Sequence, residues 1–123
     1  MSPEAERLFT VSEANAALPG LRRRLERIRA ARAELIRSAE KVRGLERGGD
    51  AGHAEEVPGA SALRRELEAL AHEGIVLRDT DAGSADFSSE RGGERVFLCW
   101  TPEDPDVRYW HGPDSGFAGR RLL

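Results

Sequence analysis

The chain's only cysteine, its only tyrosine, both tryptophans and one of its three histidines fall within residues 95–111. Cys99 and His111 are the pair that could do chemistry. A thiolate and an imidazole brought together can share a divalent metal, or act as a nucleophile and its base. Asp79, Asp81 and Asp86, on the segment just before, could add carboxylate ligands. No second cysteine or closely spaced histidine pair completes a familiar zinc pattern. The simpler alternative packs Cys99 beneath the tryptophans and leaves His111 to donate a hydrogen bond that orders the tail. The three aspartates surround a glycine turn but lack the loop and bidentate glutamate of a helix-loop-helix calcium site. Their simplest role is to supply turn hydrogen bonds.

Trp100, Tyr109, Trp110 and Phe117 form an aromatic group near Arg95 and Arg108. Such a group can stack nucleobases, face a protein partner or line a small-ligand pocket. Strand alternation is expected to bury one tryptophan and turn the other toward solvent or a partner. The glycine-rich tail 112–123 carries Arg120 and Arg121, and its backbone amides could cradle an anion. It lacks the Lys-Ser/Thr ending and strand-loop-helix frame of a phosphate-binding loop.

The elements that must hold these residues can be read in chain order. Thr10 and Glu13 form a capping box at a helix start, with Phe9 just before it. Pro19 is expected to break or kink that helix. Leu18, Leu21, Leu25, Ile28, Leu35, Ala39 and Val42 then mark a heptad-like, coiled-coil seam, with Arg32 standing in it. Glycines at 48, 49 and 52 end the helix. A return helix is expected from 61 to 73, with Leu63, Leu67 and Leu70 on one face, Ser61 as its cap and Gly74 as its stop; residues 53–57 could begin it earlier. Short strands follow at 75–77, 84–87, 94–101 and 107–111, with turns between them. If the last turn centres on Asp104, one register sets Cys99 directly across from His111. A slip of one residue sets it across from Trp110 and sends His111 to the other face.

Of the 123 residues, 33% are charged and the net charge is −3. That total hides a basic first part, with 11 Lys/Arg against 7 Asp/Glu through Arg47, and an acidic remainder. Basic residues interspersed with Glu26, Glu34, Glu40 and Glu46 are expected to lie against an acidic surface of the chain itself or of a second copy, rather than on nucleic acid. There is no apolar run of membrane-spanning length and no secretory leader at the start. With a lone cysteine, these features lead to the expectation of a cytoplasmic protein.

Phe9-Thr10, Glu13-Ala14-Asn15, Leu18-Pro19, residues 74–79, Asp86-Phe87, Leu98-Cys99-Trp100, Tyr109-Trp110-His111 and residues 116–120 together resemble the domain of unknown function 2203 family, small bacterial proteins. The resemblance spans nearly the whole chain and implies no established activity. The expected fold is α+β in one domain, 1–123: an antiparallel helical hairpin with a long first helix (10–73), a small antiparallel β-meander of about four short strands (75–111) and an irregular glycine-rich tail (112–123). The leading functional reading is an interaction or regulatory module that forms a homodimer through the first helix. The alternative is a protein that binds a divalent metal or small ligand near Cys99, His111, Asp79 and Asp86, with Arg120, Trp100, Trp110 and Phe117 facing an anion or partner; a second alternative is nucleic-acid binding through the basic first helix. No complete catalytic constellation is present.

Overall fold

The computed structural model describes residues 7–46 and 59–123. The glycine loop and the early start of the return helix, expected at 47–57, lie outside the described residues. A long helix, α1 (Val11–Glu46), precedes a short one, α2 (Ala60–His72). Five strands follow: β1 (Ile75–Asp79), β2 (Ser84–Arg91), β3 (Glu94–Trp100), β4 (Tyr109–His111) and β5 (Arg121–Leu122). They form one antiparallel sheet in sequence order. The architecture is α+β.

The capping box forms as the residues predict. Thr10 N–H donates to Glu13 Oε1 at 2.9 Å, and Glu13 N–H donates to Thr10 Oγ1 at 3.0 Å. Pro19 does not break the helix: α1 continues through it. A proline there forfeits one backbone hydrogen bond. Ala14, Leu18, Leu21, Leu25 and Ile28 nevertheless lie on one stripe and are all buried. Burying each large side chain contributes about 1.5–3 kcal/mol, so the stripe outweighs the lost bond.

α2 lies back along α1. Gly59, at its start, is against Ala31 and Leu35, while Arg24 pairs with Glu73 near its end at 2.7 Å. Leu70 is buried between the helices and the sheet, with Leu63 and Leu67 packed beside it. Ser61 is not the cap: α2 begins one residue earlier, after Gly59, with no side-chain cap. Gly59 has φ of 93°, and a β-carbon there would stand 2.4 Å from the Ala31 carbonyl oxygen. Close approach of the two helices therefore selects glycine at this position.

β2 is longer than the residues alone suggest, because the turn after it is only Gly92-Gly93. Both glycines have positive φ, as a two-residue hairpin with Arg91 opposite Glu94 requires. The tail is not wholly irregular: it makes a short 3₁₀ turn (Phe117–Gly119) and then β5, with Leu122 opposite Tyr109 and Arg121 opposite Trp110.

Strand alternation gives the sheet two unlike faces. Ile75, Leu77, Ala85, Phe87, Val96, Leu98, Trp100 and Trp110 share the face that packs on the helices. Both tryptophans are therefore on one face, contrary to the expected split. Leu98 opposes Trp110 and lies two residues from Trp100, which fixes all three to the same side. The other face carries Asp86, Ser88, Phe97, Cys99, Tyr109 and His111.

Much of α1's basic surface is matched within the chain. Arg22 donates to the carbonyls of Pro102 and Asp104, Arg24 and Arg27 pair with Glu66, and Arg32, the seam arginine, pairs with Asp81. Among the described residues no helix is long and apolar enough to cross a membrane.

Candidate metal centre

Three adjacent strands bring three different ligand types to one face. Asp86 on β2 stands directly opposite Cys99 on β3. His111 on β4 opposes Phe97, so it lies diagonally from Cys99 on the same face. Neither expected register occurs: Cys99 is across from Tyr109, neither from His111 nor from Trp110. That slip is two residues from direct Cys99–His111 opposition, and an even slip preserves the face. One ligand atom from each of Asp86, Cys99 and His111 lies within 4.8 Å of the other two, and all three residues are buried.

The hydrogen bonds define the state of each group. His111 Nδ1 is 2.8 Å from the Gly112 carbonyl oxygen. A carbonyl only accepts, so Nδ1 carries a proton. In the neutral ring the Nε2 lone pair then points at Asp86 Oδ2, 3.0 Å away. Two acceptors at that distance call for a proton or a cation between them. Oδ2 also accepts from Arg78 Nε at 2.8 Å. The second carboxylate oxygen, Oδ1, is buried with no hydrogen-bond partner among the described residues. Leaving such an atom unsatisfied costs about 1–3 kcal/mol or more. Burial and, after it, the charge of Asp86 push the Cys99 thiol up to about 11.

These groups suit a borderline-soft divalent metal. Bonds of about 2.3 Å to sulfur and 2.0–2.2 Å to nitrogen and oxygen put tetrahedral zinc ligands roughly 3.2–3.7 Å apart. With the ligand atoms within 4.8 Å of one another, the widest pair needs to contract by roughly 1.1–1.6 Å at most to meet that spacing. The Nδ1–H···O=C bond to Gly112 is the outer contact that commonly fixes a metal-binding imidazole.

Asp79 is not part of this group. Its Oδ1 accepts from the backbone N–H of Asp81 and Ala82, closing the turn after β1. Trp100 is fully buried under α1, its ring beneath Arg22, and presents no surface to a partner. Trp110 is half-buried, with Arg91 and Arg121 over its ring. Arg120 is sandwiched between Tyr109 and Phe117, 4.0 and 4.2 Å from their ring centres, and reaches Asp104. Phe117 is half exposed and does not fill an internal pocket.

The residues alone did not single out Arg78, which binds Asp86 and stacks over Phe97, or Phe97, whose ring lies 5.5 Å from that of His111. Arg78 had one available signal: it follows the apolar run of β1 at the position that alternation places on the Asp86 face. Beside the cluster, a cleft of about 360 Å³ is lined by Arg78, Ser84, Asp86, His111 and the strap 113–117.

The fold and cluster together define an α+β protein with an aspartate, a cysteine and a histidine converging on the outer face of a small sheet. The chain belongs to the family of uncharacterized conserved proteins DUF2203, whose model matches residues 7–123. No curated protein and no solved structure matches it.

Proposed function

We propose that the chain is a divalent-metal-binding protein, with Asp86, Cys99 and His111 as ligands. The observation that carries this reading is the buried, unpartnered Oδ1 of Asp86. It sits beside a thiol and an imidazole whose tautomer leaves a lone pair facing the same carboxylate. Sulfur and nitrogen donors favour zinc or a similar transition metal over calcium or magnesium. Protein purified without an affinity tag is expected to bind one equivalent of zinc or cobalt(II). Cys99→Ser and His111→Ala are each expected to abolish stoichiometric binding while keeping the far-ultraviolet circular dichroism of the wild type. Wild-type protein that takes up no stoichiometric metal would refute the proposal, as would folded variants that bind as well as wild type.

A second reading, self-association through α1, draws on one observation. Ile36 is 45% exposed, on the part of α1 beyond the Gly59 contact. Light scattering at micromolar concentration tests it: a dimer that Ile36→Glu dissociates supports it, and a wild-type monomer removes it.

A further inference from the structure

The cleft beside the cluster is much larger than a metal-bound water needs. At about 30 Å³ per water, its volume of about 360 Å³ corresponds to roughly a dozen. Its position is also set by the sheet. All three ligand residues rise from one face, so a fourth coordination position points away from the strands. Asp86 and His111 both line the cleft, whose other wall is the strap 113–117. Among the described residues no fourth histidine, cysteine or carboxylate joins the cluster.

Charge indicates what would enter. A divalent ion held by a thiolate, a carboxylate and a neutral imidazole is electrically balanced, and Arg78 then leaves the inner site one positive charge in excess. Arg78 is held in place by its Nε bond to Asp86 and by the Phe97 ring beneath it, yet its side chain is 48% exposed and borders the cleft. Ser84 and Ser115 add hydroxyl donors to the lining. Asp114, also at the cleft, is exposed, so solvent screens its opposing charge.

Resting on the metal reading, we propose that the bound metal keeps one coordination position open to this cleft and takes there a small oxyanion, a carboxylate or phosphate group, paired with Arg78. Guanidinium groups recognise both by charge-assisted hydrogen bonds. The ion supplies the inner contact, Arg78 the outer one, and the strap limits the size of whatever carries the anionic group.

The test uses the full chain loaded with cobalt(II). Inorganic phosphate and acetate are titrated in separately while the visible ligand-field bands and the thiolate-to-cobalt charge-transfer band are followed. The expected result is that at least one anion shifts the ligand-field bands and leaves the charge-transfer band in place, because Cys99 stays bound. The tighter of the two identifies the class of group. Arg78→Met is expected to weaken that anion about tenfold or more, with cobalt(II) bound as tightly as before or more tightly, since a neighbouring positive charge is gone. Arg78→Lys is expected to keep most of the anion affinity.

Ligand-field bands that neither anion moves would overturn the proposal while leaving the metal reading intact. So would an Arg78→Met protein that binds the anion normally, or one that loses cobalt(II), since Arg78 would then serve only to orient Asp86. Absence of a cobalt spectrum in the wild type would remove the metal reading and this proposal with it.

Discussion

Loading the centre with zinc at pH 7 is expected to release the thiol proton of Cys99, together with any proton held between His111 Nε2 and Asp86 Oδ2. With the thiol pushed up to about 11 by burial and by Asp86, roughly one chain in ten thousand carries a thiolate at pH 7. Only the thiolate is a ligand. At 1.36 kcal/mol per pH unit, removing the proton at pH 7 costs about 5 kcal/mol, which metal–sulfur bonding must offset. His111 enters through Nε2, with its Nδ1 proton retained on the Gly112 carbonyl. Apparent zinc affinity should therefore rise about tenfold per pH unit from neutrality to about pH 9. Calorimetry in buffers of different ionisation enthalpy measures the proton count directly. The wild type should release at least one proton near neutrality. A wild-type count of zero would refute the reasoning. So would an affinity that does not change with pH, because the buried thiol would not then be a ligand.

The structure makes further predictions. Asp79→Ala should bind metal normally and lose about 1 kcal/mol of stability in urea denaturation, because its carboxylate holds two turn amides and not the centre. Thr10→Ala should cost about 1 kcal/mol by removing the cap of α1. The hydrogen bond from the Thr10 backbone N–H holds the Glu13 carboxyl below its usual range, so its stabilisation is present above the unfolded value near 4.3 and is lost as pH falls through the folded value. Glu13→Gln should flatten that part of an acid-denaturation curve. Leu70→Ala should cost about 2–5 kcal/mol by urea midpoint, because Leu70 is the residue α2 buries most completely. In the metal-free protein the raised Cys99 value acts in the opposite direction to Glu13. Its contribution is full below the unfolded thiol value near 8.5 and is lost as pH rises toward about 11. Cys99→Ala should remove that alkaline loss from urea midpoints measured across the range.

Three of the four residues named for the centre from the sequence meet, and the fourth, Asp79, does not. The difference is physical. Asp86, Cys99 and His111 sit within strands, where a period of two fixes the face once pairing is set. Asp79 ends β1 at a break in its register with β2, and its side chain answers to the turn instead. Alternation alone did not give the faces, since it was expected to split the two tryptophans that pairing sets on one side; the start of α1 was legible as a capping box. The pairing of β3 with β4 was not. The connection between them is shaped from outside: Asn15 Oδ1 accepts from Val107 N–H, Arg22 grips the carbonyls of Pro102 and Asp104, and both come from α1, 80 or more residues away. Local turn rules carry no knowledge of that helix. The strongest evidence for the centre is also of a kind that no sequence displays. A residue string shows which groups are present, but only the packed chain shows that Asp86 Oδ1 is buried with no hydrogen-bond partner among the described residues. That missing partner supports the proposed centre over a buried ion-pair network in which Arg78 and His111 would use both carboxylate oxygens.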